Sequence, residues 1–245
     1  MVVSTHQDDE LIFFGGVIPY CDVALGHPTE VVYMANCGRF RRQEALKGLW
    51  VMGVRTYPDF INMKDKRVKT IDEGLQLWNG QEHVLDELVT RIRRYRPEVI
   101  LTHDLNGEYG HNQHRITARS MQAAIEAAAD PSRFPDSYAA YGAWQVKKLY
   151  LHLYAENEMV MDWKTPLQAL NGKSPLEVAR IGYDMHKSQH KYYQVKDGGK
   201  YDNARFGLYY TTVGPDTPGL NDFFEHVDCV NDLPPLPTLL ESPVA

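Results

Sequence analysis

His6, Asp8, Asp9 and Glu10 put one imidazole and three carboxylates into five residues, after the apolar Val2-Val3 and before Leu11-Ile12-Phe13-Phe14. Adjacent carboxylates repel one another, and two buried-looking flanks leave them little water. A divalent metal is the simplest partner, because it offsets that repulsion and takes a neutral imidazole as a ligand. His6 and Asp9 are three apart. A strand ending near Ser4, followed by a helix starting at Asp8 or Asp9, bends both toward one point. Asp8 then projects beside the ion, where a free carboxylate can take a proton from water. Simple capping of a helix by these acids competes with that reading, since acids are favoured in a first helical turn.

A second cluster tips the balance. Gly107-Glu108-Tyr109-Gly110-His111-Asn112-Gln113-His114 follows a strand-like run, Pro97 to His103, and precedes an Ala-rich helical run, Arg115 to Ala129. Ligands of open parallel sheets bind where such loops leave the carboxyl ends of strands. A lone His is more often a satisfied core or surface residue than a ligand. Two on the first turn of a helix, paired with a distant His-x-x-Asp, point instead to two loops converging on one metal.

To position these loops the chain must alternate strands and helices. Apolar runs predict strands over Met1–Ser4, Glu30–Ala35, Thr56–Ile61, Val99–Thr102 and Lys147–Leu153. Helical patterns cover Asp9–Leu25, Arg41–Met52, Gln81–Tyr95, Asn112–Ala129 and Pro175–Tyr192, the last opened by Ser174-Pro175. Right-handed crossovers between such units give a Rossmann-like α/β three-layer sandwich, with a mostly parallel sheet and helices on both faces. A core over 1–195, a C-terminal extension over 196–230 packing on the same domain and a linker-like tail over 231–245 are expected.

The same residues carry a family resemblance. His6-Gln7-Asp8-Asp9-Glu10 resembles the His-Pro-Asp-Asp-Glu signature of the PIG-L/LmbE-like zinc-dependent de-N-acetylases, and Gly110-His111-Asn112-Gln113-His114 resembles their Gly-His-Pro-Asp-His signature. Between them, Val31 to Gly38 resembles the second strand and its Thr-Asn-Gly end. Arg41-x-x-Glu44 with Gly53-Val54, and Arg96-Pro97-Glu98-Val99-Ile100, fit the intervening helix and strand. His186-Lys187-Ser188-Gln189 resembles a His-x-Ser-Gln element on the last helix. The match runs in the family's order over roughly residues 1 to 195.

The resemblance implies a hydrolase that removes acetyl from an N-acetylated amino sugar of the GlcNAc or GalNAc type, whether free sugar, glycoconjugate or glycan. Position by position, it implies that His6, Asp9 and His114 hold Zn2+ or another divalent transition metal. Asp8 is the implied general base. His111 is implied to stabilise the oxyanion or protonate the leaving amine. Arg41, Asp65 and Tyr109 are the implied substrate-binding residues. Gln7 replaces the usual Pro, which costs loop rigidity but no ligand. Gln113 replaces an Asp that could charge the neighbouring imidazole, so His111 is expected to act as a neutral hydrogen-bond donor.

Composition agrees with one ordinary soluble domain: 245 residues, 43% hydrophobic, with 26 Lys plus Arg against 32 acids for a net charge of −6. That balance argues against a nucleic-acid surface. Arg91, Arg93, Arg94 and Arg96 cluster at a helix end, where cations complement the dipole, and read as a solvated face. Cys21, Cys37 and Cys229 form no Cys-x-x-Cys and indicate neither disulfides nor a thiolate metal site. No membrane span and no signal peptide are expected. The compartment stays open between the cytoplasm and a domain excised from a secreted parent, and no oligomeric state is indicated.

The segment from Lys196 to Asp228 changes character, with Phe206 and Tyr210 read either as sugar-stacking faces or as a strand packing on the core. Asp202, Asp216, Asp222 and Asp228 have no calcium-loop spacing. Three rivals remain: an amidase acting on a larger N-acyl or thiol-sugar conjugate, a non-catalytic carbohydrate-binding relative, and a nucleotide-binding module. The last would need Gly-x-Gly-x-x-Gly where His6 to Glu10 stand.

Overall fold

Alternate strand residues face opposite layers, and the two layers are filled by different helices. The structure, a computed structural model, describes residues 1–228; the predicted tail and Cys229 lie outside the described residues. Strands β1 (Val2–Ser4), β2 (Val31–Asn36), β3 (Asp59–Lys64), β4 (Val99–Thr102), β5 (Lys148–His152), β6 (Glu158–Val160) and β7 (Arg205–Thr211) form one sheet in the order β3-β2-β1-β4-β5-β7-β6. The pairs from β3 through β5 are parallel, whereas β7 runs antiparallel to both β5 and β6.

Val2, Val31, Tyr33, Leu101 and Tyr150 pack on helices α2 (Gly38–Met52) and α7 (Pro175–Tyr183). Their neighbours Val3, Val32, Met34, Ile100 and Leu149 pack on α4 (Gln81–Tyr95) and α5 (Asn112–Ala129). This two-residue period on a strand buried from both sides is why the strands read as continuous apolar runs. The three-layer expectation holds, and β4, α4 and α5 have the expected bounds.

Elsewhere tertiary contacts override local pattern. The helix expected over Asp9–Leu25 is only α1 (Asp9–Ile12), with a separate π-helical segment at Pro19–Ala24. Gly15 takes φ +51°, and a Cβ there would stand 2.6 Å from the Asn203 side chain. Pro19 then lacks the N–H that a continuing helix needs. The last helix has a capping box at Ser174 and Glu177 but stops at Tyr183 rather than Tyr192. Beyond it, Glu44 of α2 accepts hydrogen bonds from the Ser188 N–H (2.9 Å) and hydroxyl (2.6 Å), so the His-x-Ser-Gln element is a turn. The short helices α3 (Ile71–Leu77) and α6 (Pro135–Tyr141) were not expected.

Arg93 corrects the solvated-face reading. It is fully buried and donates to the carbonyls of Ala127, Ala128, Asp130 and Phe134 and to the Ser137 hydroxyl, at 2.7–3.1 Å. It thereby satisfies the carbonyls at the C-terminus of α5. In the C-terminal segment Phe206 is buried in β7 and cannot stack on a sugar. Asp216 receives the buried Lys148 ammonium and the Tyr150 hydroxyl, both at 2.5 Å, and Asp202 pairs with Arg205 at 3.4 Å.

Candidate metal centre

β1 and β4 are adjacent central strands whose crossovers leave in opposite directions, which opens a crevice at their carboxyl ends. The loop after β1 supplies His6 to Glu10; the loop after β4 supplies His103 to His114. They meet at a cavity of about 720 Å³ lined by His6, Asp8, Asp9 and His111, with Arg41, Asp65 and Tyr109 among the wall residues.

The first loop is firmly held. Thr5 donates its N–H to His103 Nε2 (2.9 Å), and its hydroxyl meets that of Thr117 at 2.8 Å. Gln7 does not loosen the loop as its replacement of Pro suggested. Its amide donates to the Ala35 carbonyl at 2.7 Å and accepts from the Cys37 N–H at 3.3 Å, tying the loop to the end of β2. Asp8 has φ +141°, a conformation that costs an L-residue about 1–3 kcal/mol. Glu10 Oε2 holds the Asp8 N–H at 2.8 Å. Arg41 grips the Gln7 carbonyl at 2.7 Å and pairs with the Asp8 carboxylate. Arg41 therefore lines the cavity with its Nε and Nη2 turned to the Gln7 carbonyl and the Asp8 carboxylate.

His6 Nδ1, Asp9 Oδ2 and His114 Nε2 form a triangle with sides of 2.9, 3.1 and 3.1 Å. Ligand atoms about 2.0–2.1 Å from one zinc at tetrahedral angles stand about 3.3 Å apart. The tautomers suit this reading. Gln113 Oε1 stands 3.2 Å from His6 Nε2 and Glu108 Oε2 stands 2.6 Å from His114 Nδ1, so both outer nitrogens have acceptors and a metal can displace the proton from each inner nitrogen. Burial opposes charge on His114, yet Asp9 and Glu108 outweigh it and push the imidazole up to about 10. Burial likewise opposes charge on Asp9, yet His114 and His6 hold it well below the ordinary carboxylate range. The pocket thus favours positive charge where the three atoms meet, and a divalent cation fits that demand. His103 offers a competing ligand, with Nε2 3.8 Å from Asp9 Oδ2, but that lone pair already accepts from Thr5.

Asp8 stands outside the triangle. Burial, then the charge of Asp9, raise its carboxyl well above the ordinary range, while Arg41 pulls the other way. His111, at the N-cap of α5, has a buried Nδ1 with no hydrogen-bond partner among the described residues. Burial and the imidazoles of His114 and His6 push it down to about 3. Gln113 is not the cause, contrary to the sequence argument: its side chain lies between His6 and the Lys64 carbonyl.

Asp65 stands 3.7 Å from His6 Nε2 at the rim, and Tyr109 stacks near Tyr193 with ring centroids 6.1 Å apart. Gln189 also reaches the wall. Sequence reasoning passed over Glu108. Its buried carboxylate accepts from His114 Nδ1 (2.6 Å) and His103 Nδ1 (3.1 Å), and it stands 3.1 Å from His152 Nδ1. Its place between Gly107 and Tyr109, inside the second motif, was the only signal.

Residues 1–125 match the family model described as PIG-L: GlcNAc-PI de-N-acetylase. Over 178 residues the chain is 45% identical to the 1D-myo-inositol 2-acetamido-2-deoxy-alpha-D-glucopyranoside deacetylase of Thermobifida fusca, covering 61% of this chain and 60% of that protein. It is 32% identical over 120 residues to the mycothiol S-conjugate amidase of Streptomyces coelicolor, covering 47% and 40%. The chain thus spans less than two thirds of the length of either relative. The solved N,N'-diacetylchitobiose deacetylase of Pyrococcus horikoshii shares the fold, with a TM-score of 0.56 at 18% identity, over 95% of this chain and 87% of that one.

Proposed function

Because the chain belongs to the PIG-L family, we propose that it is a metal-dependent N-deacetylase that releases acetate from an N-acetylated amino sugar. One observation supports the proposal: His6 Nδ1, Asp9 Oδ2 and His114 Nε2 lie within 3.1 Å of one another, with the Asp8 carboxylate beside them but outside the group. His and carboxylate donors of this kind suit zinc first, with iron or cobalt as alternatives. Bound there, zinc polarises a carbonyl and lowers the pKa of a coordinated water to about 7.

The chain's own residues supply the rest. Asp8 accepts the proton of the attacking water as the water oxygen joins the carbonyl carbon. It returns that proton to nitrogen as the C–N bond breaks, giving acetic acid and free amine, which exchange a proton to leave as acetate and ammonium. Burial and the Asp9 charge raise its carboxyl above the ordinary range, the direction that strengthens a carboxylate as a base. Neutral His111 donates its ring N–H to the oxygen that gains charge, a contact of the kind worth about 3–4 kcal/mol of barrier. Asp65 and Tyr109 border the space left for the sugar, while Arg41 acts on substrate through Asp8.

The test is acetate release by zinc-loaded protein from a panel of N-acetylated sugars. Asp8→Ala is expected to lose about 100- to 10,000-fold in kcat while retaining one metal per chain. Loss of metal in that variant would instead make Asp8 a ligand.

A further inference from the structure

The C-terminal half of α2 has one face in the core and one in water. Ala45, Leu49 and Met52 are buried, whereas Lys47, Trp50 and Val51 are exposed. With the segment from Val54 to Pro58 they form a groove of about 460 Å³, which Met185 also lines. Trp50 and Tyr57 are 64% and 63% exposed, so two large aromatic rings meet water in this one groove. No carboxylate lines it, and its charges are Lys47 and Arg55. Arg55 lies over the Trp50 ring at 4.1 Å and donates to the Trp50 and Val54 carbonyls at 3.0 Å. The one acid of α2, Glu44, is taken up by Ser188, and Asp22 acts on Arg55 without pairing with it.

The chain itself contains a matching segment. Residues 229–245 lie outside the described residues and contain Asp232 and Glu241 but no Lys, Arg or His. They include the run Leu233-Pro234-Pro235-Leu236-Pro237. Pro-x-x-Pro segments bind aromatic-lined grooves, because their extended helix is preset and little freedom is lost on docking. The path also fits. Asp228, the last described residue, has its carbonyl 3.4 Å from the Lys147 ammonium, at the amino end of β5. Tyr57 and Pro58 enter the amino end of β3 on the same edge of the sheet, four strand spacings or about 19 Å away. Phe223 and Val227 pack in the same layer as Leu49 and Val54, so the chain leaves on the groove's side of the sheet. Pro234 and Pro237 follow Asp228 by six and nine residues, which span about 19–30 Å when extended. A nearer cavity, beside Phe224, is lined by Glu30 and Glu98 with Arg96, and its two carboxylates disfavour an acidic segment.

We propose that the Pro234–Pro237 segment docks in the α2 groove of its own chain, with its prolines against Trp50 and Tyr57 and the flanking Asp232 and Glu241 toward Lys47 and Arg55. The tether makes the encounter intramolecular, at an effective concentration in the millimolar range. None of the groove's residues lines the metal cavity.

Fluorine NMR of the full chain labelled with fluorotryptophan reads the contact, with the Trp50 signal assigned by Trp50→Phe. In Pro234→Ser/Leu236→Ser/Pro237→Ser protein the Trp50 signal is expected to shift, while those of Trp78, Trp144 and Trp163 stay in place. Amine-to-carboxylate coupling should join Lys47 to Asp232 or Glu241 within one chain, with a yield that falls about tenfold in the substituted protein and falls at high salt. A Trp50 signal that the substitutions leave unmoved would overturn the docking. A shift that fades on dilution, or coupling only between chains in a mixture of isotopically distinct copies, would put a second copy in the groove and overturn it as well.

Discussion

Asp8 is held by groups that pull in opposite directions. Burial and the neighbouring Asp9 charge favour its protonated form, and the Arg41 guanidinium favours the carboxylate. A base works only when ionised, so kcat/KM is expected to rise with pH through a raised Asp8 pKa. Removing the opposing cation raises that pKa further. Arg41→Ala should therefore move the acid limb of the pH profile to higher pH, and a limb that stays or moves down would contradict the assignment. Glu108 makes a separate claim. It fixes the tautomer of His114 and is shared with His103 and His152. Glu108→Gln keeps the shape but loses the charge and turns an amide N–H₂ toward imidazole donors. Metal affinity, measured by chelator competition, should fall about 10- to 100-fold; unchanged affinity would make Glu108 only a packing residue. Asp8 as a base was legible in the sequence, but neither its pairing with Arg41 nor the contacts of Glu108 was, because each depends on residues that meet only after folding: Arg41 from α2 with Asp8, and His152 from β5 with Glu108.

Elements were legible where local signals and packing agree. β4, α4 and α5 combine uninterrupted patterns with clear ends, and their predicted bounds hold. The failures sit where a distant group intervenes: Asn203 packed against Gly15, Glu44 capturing Ser188, and five acceptors around Arg93. The Arg93 case predicts a large stability effect. Arg93→Met leaves the carbonyls at the end of α5 without donors, and should cost about 3 kcal/mol. For a chain of this size that corresponds to a fall in Tm of about 6–12 °C. A change under 2 °C, about what 0.5 kcal/mol gives, would mean the site hydrates freely. The placement of the two motifs was legible at this scale, since both sit on strand-to-helix loops at the switch point of a parallel sheet.

At the scale of the molecule, one sheet brings together residues from opposite ends of the chain. β1 and β4 are neighbours although about a hundred residues separate them, and β7 from the C-terminal segment lies between β5 and β6. That topology sets the cavity at the carboxyl ends of β1 and β4, with aspartates, histidines and the cations Arg41, Arg67 and Lys69 in one wall. The central claim is that His6, Asp9 and His114 hold one ion while Asp8 does not. Anomalous diffraction from crystals of zinc-loaded protein tests it directly. A single peak is expected, about 2.0–2.2 Å from His6 Nδ1, Asp9 Oδ2 and His114 Nε2, with Asp8 outside bonding distance. A peak between Glu108, His103 and His152, or none at full zinc loading, would contradict it.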